Sequence, residues 1–184
     1  MNEETAARRL PGDLTKDELI DRIIRVDHAG EFGARRIYEG QLAVLRGKPE
    51  AQAIEHMYRQ ELEHLKAFET LMVERRARPS ALHPLWNAAG FALGAATALM
   101  GPKAAMACTV AVEEVIDQHY RAQAETLGED EAPLKARIEK FRGEELQHRA
   151  TGLEHGAEQA PAYPLLTGAI KAGSRLAIWL AERI

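Results

Sequence analysis

"MYRQELEHLKAFE", residues 57–69, sets Glu61 and His64 three positions apart within a run whose apolar residues recur at helical spacing. The pair returns in "FRGEELQHRA", residues 141–150, as Glu145 and His148. Residues three or four apart share one helix face. Stepping by turns from Glu61 meets Ile54, Met57, Leu65, Phe68 and Met72, and from Glu145 it meets Leu134, Ile138, Phe141 and Leu153. Both pairs therefore look into a core, where a carboxylate is costly unless it is paired or bound to metal.

The rest of the chain is helical in pattern, with no run of strand alternation. A first helix begins at "LTKDEL", where Thr15 and Glu18 form a capping box, and runs to about Leu45. A second spans about Pro49 to Arg76, and a weaker apolar segment covers 84–101. A fourth begins at Pro102 and ends before "LGEDEAP", a fifth runs from Pro133 to about Glu158, and a sixth begins at Tyr163. Short loops make the first two helices antiparallel, and likewise the fourth and fifth. The expected fold is all-α: a ferritin-like four-helix bundle with two extra apolar helices, one domain over 1–184 with residues 1–14 flexible.

In an antiparallel hairpin, residues equidistant from the loop lie at equal height. Glu31 and Glu61 are symmetric about residue 46, in "RGKP", and Glu113 and Glu145 about residue 129, in "LGED". Glu31 sits in a stripe with Ile20, Ile24, Tyr38, Leu42 and Leu45. Glu113 is flanked on its face by Met106, Val110, Ile116 and Tyr120. Each hairpin thus sets one lone Glu opposite one Glu-x-x-His. Four Glu and two His shared among four helices form the ligand pattern of di-iron or di-manganese carboxylate bundles. Four carboxylates balance two divalent ions, and each imidazole adds a nitrogen donor suited to iron. A zinc protease is a poor rival, because Gln60 and Glu144 stand where His-Glu-x-x-His needs histidine.

Composition narrows the setting. The 184-residue chain is long enough for a real core, and its net charge of −4 gives no basic signal for nucleic acid. Its single cysteine, Cys108, rules out an internal disulfide and a rubredoxin-like Cys-x-x-Cys module, and reads as a small buried hydrophobe. The acidic N-terminal stretch has no apolar signal region.

"RVDHAGEFGARRIYEGQLAVL", "ELEHLKAFE", "AVEEVIDQHYRAQ" and "FRGEELQHRATGLEHGAE" closely resemble the demethoxyubiquinone hydroxylases, the COQ7 family of ubiquinone biosynthesis, over residues 18–184. The resemblance implies a membrane-associated di-iron monooxygenase that hydroxylates the ring of a prenylated demethoxyubiquinol. It implies two Fe ions per chain on Glu31, Glu61, His64, Glu113, Glu145 and His148, with Glu61 and Glu145 bridging. The resemblance makes NADH a possible reductant, as in some family members, but the chain has no Gly-rich dinucleotide fingerprint and the electron donor stays open. Implied partners are membrane lipid, the prenylated quinol and a lipid-binding helper of the COQ9 type, while a homo-oligomer is left open. The expected location is peripheral, on the cytoplasmic face of a bacterial cell membrane, or on the mitochondrial inner membrane if a leader was removed. The alternative is a ferritin- or rubrerythrin-like iron-binding or detoxifying bundle.

The resemblance also suggests that His119 and Tyr120 help to relay electrons or protons. Tyr120 returns to the metal side two turns after Glu113, while His119 points away. Asp27, Asp117 and Glu144 are candidates to orient a ligand histidine. His28, His56, His83 and His155 have no partner at ligand spacing and read as surface or loop residues. The uncharged run from Leu85 to Pro102 and the last helix are expected to lie at a membrane interface, with Trp86, Phe91, Ile178 and Trp179 exposed.

Overall fold

The computed structural model describes residues 12–184, so most of the segment expected to be flexible falls outside it. Six helices follow: α1 (Lys16–Leu45), α2 (Ala51–Arg75), α3 (His83–Leu99), α4 (Pro102–Thr126), α5 (Ala132–Glu154) and α6 (Tyr163–Ala181). No strand occurs among the described residues. Thr15 caps α1 through the expected box with Glu18, and Pro102 opens α4 in its first turn. The fifth helix is shorter than the periodicity suggests. It ends at Glu154, and Gly156 takes a left-handed conformation (φ 79°) before a 3-10 turn at Ala157–Gln159.

Helices α1, α2, α4 and α5 share the core. At one end Ile24, Phe68, Tyr120, Ile138 and Phe141 interlock; at the other Tyr38, Ile54, Met57, Met106 and Val110 do so. The bidentate pair of Arg75 with Glu131, at 3.1 and 2.8 Å, ties the end of α2 to the start of α5.

The two apolar helices lie outside this core. On α3, Gly90 and Gly94 meet the backbone of α1: a Cβ at Gly94 would sit 1.9 Å from the Ile37 carbonyl oxygen, and one at Gly90 would sit 2.8 Å from that of Gly33. Both contacts advance in the same direction along the two helices, so α3 runs parallel to α1. Likewise α6 runs parallel to α4, with Lys171 paired to Glu114 and Arg175 contacting Gln118 one turn on. The chain is therefore two three-helix halves of similar design, α1–α3 and α4–α6. Gly90 and Gly94 thus serve close packing of α3 on α1. No helix among the described residues is long and apolar enough to cross a membrane.

Between α3 and α6 runs a groove of about 530 Å³. Trp86, Leu93, Ile170 and Ile178 wall it, and Gly30, Gly33, Ala34, Val112 and Ile116 floor it. Two expectations about exposure need correction here. Trp86 and Ile178 turn inward and pack together with Val26, and Phe91 is half-buried under the Arg36 guanidinium, 4.9 Å from its ring centroid. Trp179 is exposed as expected. The other bare apolar side chains of these helices are Leu85, Leu99, Leu165 and Leu176. Also, His28 is not at the surface. It is buried on α1 with Nδ1 3.3 Å from His83 Nε2, and burial, then the neighbouring His83, pushes it down to about 4.

Candidate metal centre

The six sequence-predicted residues converge at the centre of the four core helices, each at most 2% exposed. Ligand atoms of Glu31, Glu61, His64 and Glu145 lie within 4.8 Å of one another, and so do those of Glu61, Glu113, Glu145 and His148. The two groups share Glu61 and Glu145, one from each Glu-x-x-His helix. Both imidazoles turn Nδ1 inward: that of His64 lies 3.0 Å from Glu145, and that of His148 lies 2.9 Å from Glu145 and 3.3 Å from Glu61.

The donor set calls for a cation. Glu31 Oε2, both oxygens of Glu61 and Glu145, Glu113 Oε2 and the two inward Nδ1 atoms are buried and make no well-formed hydrogen bond, the Nδ1 atoms meeting the carboxylates as ion pairs only. Buried polar atoms left unpartnered are costly, and here they all face one space. Burial and the mutual repulsion of the carboxylates hold Glu61 and Glu113 well above the usual carboxylate range. Burial also works against ionised Glu145, but His148 and His64 outweigh it and bring that carboxyl down to about 2. The same contacts overcome burial at the rings, raising His148 and pushing His64 up to about 12. A metal entering this space displaces protons and takes over their role as counter-charge. These buried groups could hold a metal ion.

An outer set of hydrogen bonds fixes the inner one, and half of it escaped the sequence reading. Tyr120 Oη donates to Glu31 across the bundle. Tyr38 Oη donates to Glu113 in the mirror arrangement, at 2.9 Å. Each tyrosine lies seven residues after the lone Glu of its own helix and reaches the lone Glu of the other. Burial, followed by the surrounding carboxylates, holds both phenols well above their ordinary range, so each keeps the proton it donates. The outward ring nitrogens are held the same way: His64 Nε2 lies 2.7 Å from Glu144 Oε2, and His148 Nε2 lies 3.0 Å from Gln60 Oε1. Tyr38 was legible only as a member of an apolar stripe, and Gln60 only as a departure from a zinc motif. The signal that finds them is the repeat itself.

Of the three carboxylates proposed as orienters, only Glu144 reaches a ligand-type histidine. Asp27 instead accepts from Gln123 at 2.7 Å and lies 3.4 Å from His119. Asp117 pairs with Arg142 at 2.6 Å and Arg121 at 3.2 Å, on the flank of the bundle. His119 itself stands off the cluster, partly exposed, with Nε2 2.8 Å from the Gln123 amide.

A model of the family described as "Ubiquinone biosynthesis protein COQ7" matches residues 18–181. Among curated relatives, the "3-demethoxyubiquinol 3-hydroxylase" of Rhodospirillum rubrum is 60% identical over 182 residues, covering 98% of this chain and 86% of its own. The "NADPH-dependent 3-demethoxyubiquinone 3-hydroxylase, mitochondrial" of Homo sapiens is 53% identical over 188 residues, covering 98% and 87%. The "5-demethoxyubiquinone hydroxylase, mitochondrial" of Saccharomyces cerevisiae is 44% identical over 182 residues, covering 90% and 78%.

Proposed function

The chain belongs to the COQ7 family of ubiquinone biosynthesis proteins, and from that premise we infer that it is an enzyme that hydroxylates the ring of demethoxyubiquinol, with two iron ions as its oxygen-activating centre. Glu31, Glu61, His64 and Glu145 would hold one ion and Glu61, Glu113, Glu145 and His148 the other, with Glu61 and Glu145 shared between them. When bound, the two ions supply the redox chemistry that activates dioxygen.

The chain's own residues do the rest. The tyrosine hydroxyls of Tyr120 and Tyr38 aim the terminal carboxylates of Glu31 and Glu113. The partners Glu144 and Gln60 hold the imidazoles so that Nδ1 faces inward. The groove excludes water and has room for a ring and the start of an isoprenoid chain. Its floor residues flank the glutamates: Gly30 and Gly33 on either side of Glu31, and Val112 beside Glu113.

The observation that carries this reading is a cluster of eight buried ligand atoms without hydrogen bonds, held in part by α1 and α4, the same helices that floor an apolar groove. An iron-storing bundle has no need of such a groove. The reductant is a nicotinamide cofactor, in keeping with the names of the relatives and with the NADH implied by resemblance. We also propose that the exposed face of α3 and α6, with Leu85, Leu99, Leu165, Leu176 and Trp179, rests on a membrane. A lipid-binding helper of the COQ9 type would dock on the same face.

The test is product analysis. Iron-loaded protein given demethoxyubiquinol, a reductant and isotopically labelled dioxygen should yield a product one labelled oxygen heavier. Glu113→Gln and His148→Ala should each abolish that product with helical content retained. Wild-type turnover by either variant with its iron intact would sink the site assignment.

A further inference from the structure

The inner ligands repeat faithfully between the two halves, and so do the tyrosines behind them. Glu31 corresponds to Glu113, Glu61 to Glu145, His64 to His148 and Tyr120 to Tyr38. The repeat breaks at the atoms that hold the outward ring nitrogens. His64 Nε2 faces a carboxylate, Glu144 Oε2, at 2.7 Å, whereas His148 Nε2 faces a neutral carboxamide, Gln60 Oε1, at 3.0 Å. These two positions correspond in the repeat, each immediately preceding the Glu of its own Glu-x-x-His, and each serves the histidine of the opposite half.

An imidazole that donates its second N–H to a carboxylate is a stronger donor to a metal than one that donates to an amide. The negative charge pulls the proton outward and enriches the inward nitrogen. Lys140 also contacts Glu144, at 3.4 Å, but its ammonium is 64% exposed and screened by solvent, while the ring of His64 is buried. The charge of Glu144 is therefore felt chiefly by His64. On the reading of this cluster as a two-metal centre, we propose that the two metal sites are unequal by construction. The site of Glu31, Glu61, His64 and Glu145 is the tighter and fills first; the site of Glu113 and His148 fills second. Glu144 and Gln60 are the positioning residues that set the difference. The second ion then arrives at a site already half assembled, because Glu61 and Glu145 have been oriented by the first.

Cobalt(II) serves as a redox-stable probe, added stepwise to metal-free protein and followed by its visible absorption and by calorimetry. His148→Ala, which keeps the His64 site, should bind one cobalt at least about tenfold more tightly than His64→Ala, which keeps the other. Adding Glu144→Gln to His148→Ala should weaken cobalt by about 10–100-fold, the range for loss of such an outer partner, and leave the His64→Ala protein nearly unchanged. Adding Gln60→Glu to His64→Ala should tighten it, a gain that a merely structural role would not produce. Lys140→Gln is the control for the surface ion pair and should leave both affinities in place. Cobalt affinities of the two histidine variants within twofold of each other, or equal loss from Glu144→Gln in both backgrounds, would overturn the proposal and leave the two-metal reading standing. Failure of the wild type to bind two cobalt ions would overturn both.

Discussion

The candidate metal centre is built of side chains whose charge is wrong for their surroundings in the absence of a cation. Glu61 and Glu113 are pushed up by burial and by one another, so in metal-free protein each keeps a proton at a pH where the unfolded chain has lost it. Such a group stabilises the fold less and less as pH rises above the ordinary carboxylate range. His64 and His148 act in the same direction. Their raised values mean that the protonated ring favours the fold below about 6.5, an advantage lost as pH rises. Glu145 acts oppositely, but its contribution is lost only as pH falls toward about 2; His28 and His83, lowered by burial, also act oppositely, but only below about 6.5, and are outweighed by the four raised groups. Metal-free protein should therefore melt at a higher temperature at about pH 5.5 than at about pH 8. Saturating iron(II) should shrink or reverse the difference. Calorimetric scans at both pH values, with and without metal, check this; a metal-free melting temperature that rises with pH would contradict the charge assignment.

At the level of elements, two different kinds of information decided what could be read from the sequence. The Glu-x-x-His pairs, the capping box of α1 and the opening of α4 at Pro102 are local, set by spacing along one helix or by one turn. They were legible. Tyr38, Gln60 and the burial of His28 depend on partners on other helices, at Glu113, His148 and His83, and single-helix periodicity says nothing about those. Asp27 and Asp117 failed as orienters for the same reason, because spacing put them near the ligands while packing gave them other partners. The placement of α3 was likewise hidden. Its Gly90 and Gly94 make contact with another helix, which the apolar pattern of α3 alone does not show. That contact gives a direct prediction. Gly94→Ala places a methyl into the Ile37 backbone and should destabilise the fold by about 1–3 kcal/mol. It should also pry α3 from α1 and impair use of a long-tailed quinol more than a short-tailed one. Unchanged melting temperature and tail preference would mean that α3 does not hold this position.

For the whole molecule, two helical halves enclose the candidate metal centre, and their third helices leave a groove toward the outside. Exposed Leu99 and Leu165, each 76% exposed, and Trp179 give α3 and α6 a bare apolar face. Transfer of each such side chain into an interface contributes about 1.5–3 kcal/mol, enough together to hold the protein on lipid reversibly. Leu165→Glu with Trp179→Glu should reduce flotation with liposomes, while the buried metal centre still binds two ions. Equal flotation of variant and wild type would place the lipid-facing surface elsewhere.

Metal analysis together with Mössbauer spectroscopy of the oxidised, iron-loaded protein shows whether the six buried side chains hold two coupled irons. Two irons per chain with the spectrum of a magnetically coupled pair are expected, with loss of that coupling in Glu61→Ala and in Glu145→Ala, since each is shared between the two ligand groups. A single tightly bound zinc with no iron after iron-replete expression would contradict this expectation.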